Sequence, residues 1–282
     1  MKPSSISKIT LEGREFLVKR DDLIDPYLAG NKYRKLHTLL QTPKQDLQKI
    51  ISYGGTQSNA MLAIAAMCKE KGWEFIYYSK PLAKNMKEQK FGNYFLAHAL
   101  GMIHKEIEYE LYRDFIAGLS VNDEVGSFLL HQGGADKSAK NGLAVLAQEI
   151  KDAQLDVKAV ATPSGTGTTA LFLALALPEY TVYTVPCVGT VEYLKEQMNA
   201  IGEIPTNLII LEPQKKYRFA KPYREFLEIY LRLKENAIEF DLLYAPLMWQ
   251  TLLEQTSDKI LYVHSGGVSG NESMLERYKR LR

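Results

Sequence analysis

The chain has 282 residues, of which 46% are hydrophobic and 24% charged, an ordinary globular balance that excludes a largely disordered polypeptide. Its 35 Lys and Arg against 33 Asp and Glu give a formal net charge of +2, too small for a general field that attracts nucleic acid or an anionic membrane. No apolar run approaches the roughly 18 residues of a membrane span, the start MKPSSISKIT has no apolar signal core, and Cys68 and Cys187 fit no paired-cysteine motif, so a reducing, cytoplasmic location is expected.

The predicted elements run as follows. A hairpin over 9–18 turns at Glu12-Gly13. After Lys32 the pattern becomes helical, with Leu36, Leu39 and Leu40 at helical spacing. A strand over 50–53 ends at Gly54-Gly55, and an Ala- and Met-rich helix over 59–71 stops at Gly72. A strand over 75–78 precedes a helix over 93–100 that stops at Gly101. The stretch from Lys105 to Asp123 is the most polar and least periodic, as near a domain edge. A strand over 128–131 runs into Gly133-Gly134, and the following helix carries Leu143, Leu146, Ala147 and Ile150 on one face. Strands over 157–161, 181–185, 208–211 and 260–263 then alternate with helices over 168–177, 191–200, 226–235 and 245–254. Strand, glycine turn and helix repeated in this way predict an α/β fold of open parallel sheets covered by helices.

Ligands of such sheets bind at the carboxyl ends of strands, and three of these ends carry unusual residues. In Gly54-Gly55-Thr56-Gln57-Ser58-Asn59, amide and hydroxyl groups stand at a helix start, suited either to a carboxylate or ring oxygen or to simple capping. In Pro163-Ser164-Gly165-Thr166-Gly167-Thr168-Thr169-Ala170, small residues free the backbone N–H groups before a helix, which makes an anion cradle for a single phosphate; a ligand-free tight turn is the alternative. The cradle lacks the lysine of a nucleotide P-loop. It satisfies GxGxxA, but no acidic residue follows near Val185-Pro186-Cys187 to hold a ribose, which disfavours a dinucleotide oxidoreductase. The third end is His264-Ser265-Gly266-Gly267. His264, like His37, His98, His104 and His131, has no metal-ligand spacing, and no metal is expected.

Lys32 follows a Gly-Asn turn and opens a helix, with Arg34 and Lys35 beside it. The positive helix end and these cations are expected to lower its pKa, as an imine-forming amine requires, although a surface lysine is the plainer reading in isolation. An imine lysine, a phosphate cradle, a Ser-Asn helix start and a late Ser-Gly-Gly turn together are the parts of a pyridoxal 5′-phosphate site.

The residues also resemble a known family. Arg20-Asp21-Asp22-Leu23 with Gly30-Asn31-Lys32-Tyr33-Arg34-Lys35-Leu36 is similar to the KRDDL…GGNKxRKLE stretch of the 1-aminocyclopropane-1-carboxylate deaminase/D-cysteine desulfhydrase family, pyridoxal phosphate enzymes of fold type II (tryptophan synthase β-like). The segment 54–59 resembles the family's GGxQSN, Gly92-Asn93 its GN helix, 164–169 its phosphate loop, Asp241-Leu242-Leu243-Tyr244 its DPVY and 264–267 its HTGG, in order along nearly the whole chain. The resemblance implies that Lys32 forms the imine with the cofactor, that Gly165, Thr166, Gly167, Thr168 and Thr169 hold the phosphate, and that Ser265 meets the pyridine nitrogen. It places Asn59 near the phenolic oxygen, Ser58 and Gln57 near the substrate carboxylate, and Tyr244 beside the substrate as a catalytic group, with Tyr223 as the match to a second tyrosine. It also implies a large cofactor domain of residues 1–35 and 132–282, a small domain of 36–131, and a homodimer.

Departures shape the expected function. Ala60 replaces a polar residue after QSN, and the loop before the DPVY-like segment is short. Ring-opening members carry Glu after the DPVY tyrosine and Leu between the histidine and the glycine pair, where this chain has Ala245 and Ser265. The resemblance therefore points to a lyase that performs β-elimination on a small amino acid, D-cysteine first, giving sulfide, pyruvate and ammonia. Ring opening of 1-aminocyclopropane-1-carboxylate to 2-oxobutanoate and ammonia, and a degenerate relative that only binds cofactor or amino acid, are the alternatives.

Overall fold

The structure, a computed structural model, describes residues 3–28, 30–121 and 125–280; Ala29, before the lysine turn, and Asn122 and Asp123, which end the polar stretch, lie outside the described residues. Among the described residues ten strands follow in chain order: β1 (Ile6–Leu11), β2 (Arg14–Lys19), β3 (Lys49–Tyr53), β4 (Glu74–Ser79), β5 (Ile103–Glu106), β6 (Ser127–Leu130), β7 (Ala159–Ala161), β8 (Thr181–Thr184), β9 (Leu208–Ile210) and β10 (Ile260–Val263). They form a six-stranded sheet in the order β1-β2-β10-β7-β8-β9 and a four-stranded sheet in the order β5-β4-β3-β6. Every pairing is parallel except the β1–β2 hairpin, whose turn residues Glu12 and Gly13 both have positive φ. The larger sheet thus takes strands from both ends of the chain, and the smaller one takes the segment between. The α/β architecture expected from the glycine-punctuated pattern is present.

Strands inside a parallel sheet are covered on both faces, so they read as continuous apolar runs. Ala159–Ala161 and Ile260–Val263 are buried at every position. On one face Trp249 is fully buried, stacked on Tyr262 with centroids 4.3 Å apart, and it meets Phe16 and Phe240 edge-on. On the other face lie the helices Ala139–Asp152 and Thr168–Ala176. The latter, TTALFLALA, is apolar around most of its circumference, and Thr168 through Ala174 are all buried. Helix Ala139–Asp152 crosses the Asn31–Lys35 segment at Gly142, where a Cβ would stand 1.9 Å from the Arg34 carbonyl oxygen, so only glycine allows that approach.

Helix Asn59–Lys71 begins and ends where the sequence places it, with Ser58 as N-cap and Gly72 in the left-handed region. The helix expected after Lys32 instead breaks at Leu36 into Asn31–Lys35 and His37–Gln41. Among the described residues one strand and three α-helices have no counterpart in the sequence reading: β5 and the helices Lys84–Glu88, Tyr112–Gly118 and Asn271–Tyr278. β5 is an edge strand with little burial, so it has no alternating pattern to betray it. Among the described residues no helix is long and apolar enough to cross a membrane.

Candidate active site

Asp21 anchors the turn that carries Lys32. Its backbone carbonyl accepts the Gly30 N–H at 2.9 Å, and its buried carboxylate accepts two bonds from Arg34, from Nε at 2.9 Å and Nη2 at 2.7 Å. The Arg34 fork continues to Glu149 at 2.6 and 2.9 Å, and Lys19 reaches the same carboxylate at 2.7 Å. Much of the RDDL…GNKYRK pattern is therefore a buried ionic clamp around the lysine; Asp22 pairs instead with Arg20. Gly30 has φ 60° and lies against the Ser265 turn: a Cβ would stand 1.9 Å from the Ser265 carbonyl oxygen, which also accepts the Asn31 N–H at 3.2 Å. Gly30→Ala is expected to destabilise the protein by about 1–3 kcal/mol through strain and overpacking. Urea denaturation checks this, and an unchanged midpoint would show that the two turns do not pack as described.

The Lys32 amine donates to Asn31 Oδ1 at 3.1 Å, and Asn31 Nδ2 reaches Thr169 Oγ1 at 3.5 Å. Burial lowers the Lys32 pKa to about 8, and the charge of Asp241 partly opposes it. The sequence instead points to the positive helix end and the neighbouring cations Arg34 and Lys35 as the cause. The structure corrects this, because the Arg34 charge is taken up by Asp21 and Glu149. Lys35, read from the sequence only as a neighbouring cation, is also buried; its amine donates to the Gly133 carbonyl at 3.1 Å, and burial, then the Lys32 charge, hold its pKa well below the ordinary value. Gly133 in turn lies against the Thr166 side chain of the cradle.

In the cradle, Gly167 is the N-cap of helix Thr168–Ala176, and no side chain caps that helix start. The Thr166 and Thr168 hydroxyls are 3.0 Å apart, whereas the Ser164 hydroxyl is engaged with Thr184 at 2.6 Å, behind the loop. The Tyr244 ring packs over Gly165, where a Cβ would be 3.5 Å from Cε1. Asp241 receives the N–H groups of Leu243 at 3.0 Å and Tyr244 at 2.6 Å, which positions Tyr244 at the start of helix Ala245–Gln255; burial pushes the Asp241 carboxyl up to about 6 against those bonds. Burial, then Asp241 and Cys187, raise the Tyr244 phenol well above its usual range.

Asn59 comes against the glycine turn from the other side, since a Cβ on Gly267 would lie 2.2 Å from Asn59 Nδ2. Ser58 Oγ caps the helix through Ala60 and Met61, as in the capping reading. Gln57 points its side-chain oxygen at the Asn93 N–H, 2.9 Å away. Tyr223 lies in an aromatic cluster with Tyr217 and Phe226, and its hydroxyl accepts the Arg218 N–H at 2.9 Å. His264 stacks on Phe240; Gly266 N–H donates to its Nδ1, which leaves Nε2–H to donate to the Glu239 carbonyl, so the ring is a neutral structural group. The structure thus brings together the Lys32 turn, the cradle, Tyr244, Asn59 and the Ser265 turn. A surface cleft of about 760 Å³ lies along the C-terminal helix by Glu272, Leu275 and Tyr278, and Lys32 is not part of its lining.

This arrangement can hold an anion at the cradle and keep one amine close to neutrality beside it. No family model matches the chain. It is 27% identical to a provisionally named 1-aminocyclopropane-1-carboxylate deaminase of Thermotoga maritima, covering 92% of this chain and 90% of the relative. It is 24% identical to a provisionally named D-cysteine desulfhydrase 2, mitochondrial, of Oryza sativa subsp. japonica, covering 95% and 81%. Among solved structures it is similar to an ACC deaminase homologue, with a TM-score of 0.75 and 21% identity over 98% of this chain and 94% of that one. A pyridoxal 5′-phosphate-dependent aspartate racemase shares the fold, with a TM-score of 0.66 and 13% identity over 96% and 92%.

Proposed function

We infer that this chain, a homologue of the 1-aminocyclopropane-1-carboxylate deaminase and D-cysteine desulfhydrase proteins with the fold of type II pyridoxal phosphate enzymes, is a lyase acting on a small amino acid by β-elimination. The observation that carries this reading is the Lys32 turn, which touches the anion cradle through Asn31–Thr169 and the Ser265 turn through Asn31 N–H. The residues fit pyridoxal phosphate on three counts: an uncapped helix start for the phosphate, a second buried lysine next to the loop facing it, and an amine of pKa about 8 for the aldehyde. Gly165, Thr166, Gly167, Thr168 and Thr169 would hold the phosphate, and Asn59 and Ser265 would face the ring. The two-sheet organisation supports the division into residues 1–35 with 132–282 and residues 36–131.

When bound, the cofactor supplies an electron sink for the charge left at a substrate α-carbon. Lys32 is the base at that carbon, since a pKa of about 8 leaves it both able to take a proton and available at neutral pH. A phenol held protonated by its surroundings donates rather than attacks, so Tyr244 is the proton donor to the departing group. D-cysteine is the favoured substrate, because Ser265 and Ala245 stand where ring-opening relatives carry other residues.

The test is purified protein with pyridoxal phosphate and a panel of D- and L-amino acids and 1-aminocyclopropane-1-carboxylate, scored for sulfide, ammonia and 2-oxo acids. Sulfide with pyruvate from D-cysteine supports the proposal. 2-Oxobutanoate without sulfide moves it to ring opening. Cofactor on Lys32 with no product from any compound makes the chain a binding protein.

A further inference from the structure

Asn93 lies in the first turn of the helix Gly92–Ala99 and is fully buried. Its carboxamide lies between the two sheets' loops. Nδ2 donates to the Gln57 backbone carbonyl at 3.0 Å and to Asn59 Oδ1 at 2.7 Å, and Oδ1 accepts from Ser269 Oγ at 2.7 Å. The Gln57 side chain receives the Asn93 N–H at 2.9 Å and so braces the same residue.

The chemistry of these partners fixes every amide in one direction. A backbone carbonyl only accepts, so the end of Asn93 that meets Gln57 must be its NH₂. That NH₂ also meets Asn59, so the Asn59 atom there must be the oxygen. The Asn59 NH₂ is then forced to the opposite side, against Gly267, where its nitrogen sits. The network leaves Asn59 no freedom to flip, and it presents a donor, never an acceptor, to the space beside the glycine turn.

We propose that Asn93 is a positioning residue that sets the donor polarity of Asn59 toward an anionic oxygen, the ionised phenolic oxygen of bound pyridoxal phosphate. The inference rests on the proposed function. Its logic is that of a preorganised site: a donor locked before the ligand arrives needs no reorientation on binding. Asn93→Asp is the sharpest probe, because a carboxylate keeps the shape yet can donate to neither Gln57 nor Asn59. The Asn59 amide then turns its oxygen to the ligand.

The experiment titrates apoprotein with pyridoxal 5′-phosphate and records absorbance and affinity for wild type, Asn93→Asp, Asn93→Leu and Asn59→Ala. Asn93→Asp is expected to weaken binding about tenfold, the loss of roughly one hydrogen bond to a charged group. It should also shift the bound cofactor from its long-wavelength, ionised-phenol band toward the near-ultraviolet band of the neutral phenol. A purely structural role would lower stability without moving that balance. In the Asn59→Ala background, Asn93→Asp should change neither quantity further. Asn93→Leu, which keeps a similar volume and removes both donors that fix the Asn59 amide, should shift the bands in the same direction, and it carries the test should Asn93→Asp not fold. Band balance and affinity within twofold of wild type in the folded variants overturn the inference while leaving the proposed function standing. Wild type that binds no pyridoxal phosphate overturns both.

Discussion

Lys32→Met is expected to lower product formation by roughly 10³-fold or more, because the amine that attaches the cofactor and the base at the α-carbon are lost together. Borohydride reduction should fix the cofactor on Lys32 in the wild type and on no lysine in the variant, and label on Lys35 would refute the assignment. The pH dependence has a definite sign. Burial lowers the folded-state pKa from the ordinary 10.5 to about 8. Between these values the unfolded chain binds more protons than the folded one, so the stability of the cofactor-free protein rises with pH across that window and is lowest below it. Replacing the amine with an apolar group of similar length removes this handicap. Lys32→Met should therefore melt several degrees above wild type at pH 7, with the gap closing as pH rises from about 8 toward about 10.5. A variant both inactive and less stable at pH 7 would mean that the lysine supports the fold rather than the chemistry.

Arg34→Met should cost about 3–5 kcal/mol of stability, the largest loss expected of any single substitution considered. The guanidinium is fully buried and bridges Asp21 and Glu149, which among the described residues keep a serine hydroxyl and Lys19 once it is gone. The cost comes from stranding carboxylates away from water, not from the worth of the ion pairs themselves. Urea unfolding measures it, and a loss under 1 kcal/mol would show that the clamp is hydrated and dispensable. Acidity provides a second check. Burial pushes the Glu149 carboxyl up, but the bonds from Arg34 and Lys19 win and hold it below the ordinary 4.5. Its contribution to wild-type stability is present above that value and is lost as pH falls through the lower folded-state pKa. In Arg34→Met the principal cause of the depression is gone, so this loss should largely vanish and the two proteins should converge in acid. The same clamp holds the Gly30 amide through the Asp21 carbonyl, so the variant should also lose cofactor affinity.

Local chemistry made parts of this molecule legible in one dimension. Glu12-Gly13 between two apolar strands is a hairpin whatever surrounds it, and Ser58 and Gly72 bracket a helix by capping alone. The alternation of strand, glycine and helix carried the α/β architecture, because parallel strands need helical crossovers. The resemblance of the Lys32, GGTQSN, cradle and glycine-turn segments carried the choice of site. What the chain order could not reveal depends on partners far away in sequence. β5 is exposed and needed its neighbour β4 to be seen as a strand. Tyr223 is taken up by Tyr217 and Phe226, and Gln57 by Asn93, pairings set by packing rather than by residue type. The amine of Lys32 owes its lowered basicity to desolvation rather than to the cations next to it in sequence, and Asn31 meets Thr169 across 138 positions. Turns and caps are decided within a few residues, so the sequence by itself determined them; burial, ion pairing and amide orientation are properties of the enclosed space, and only the tertiary structure decided those.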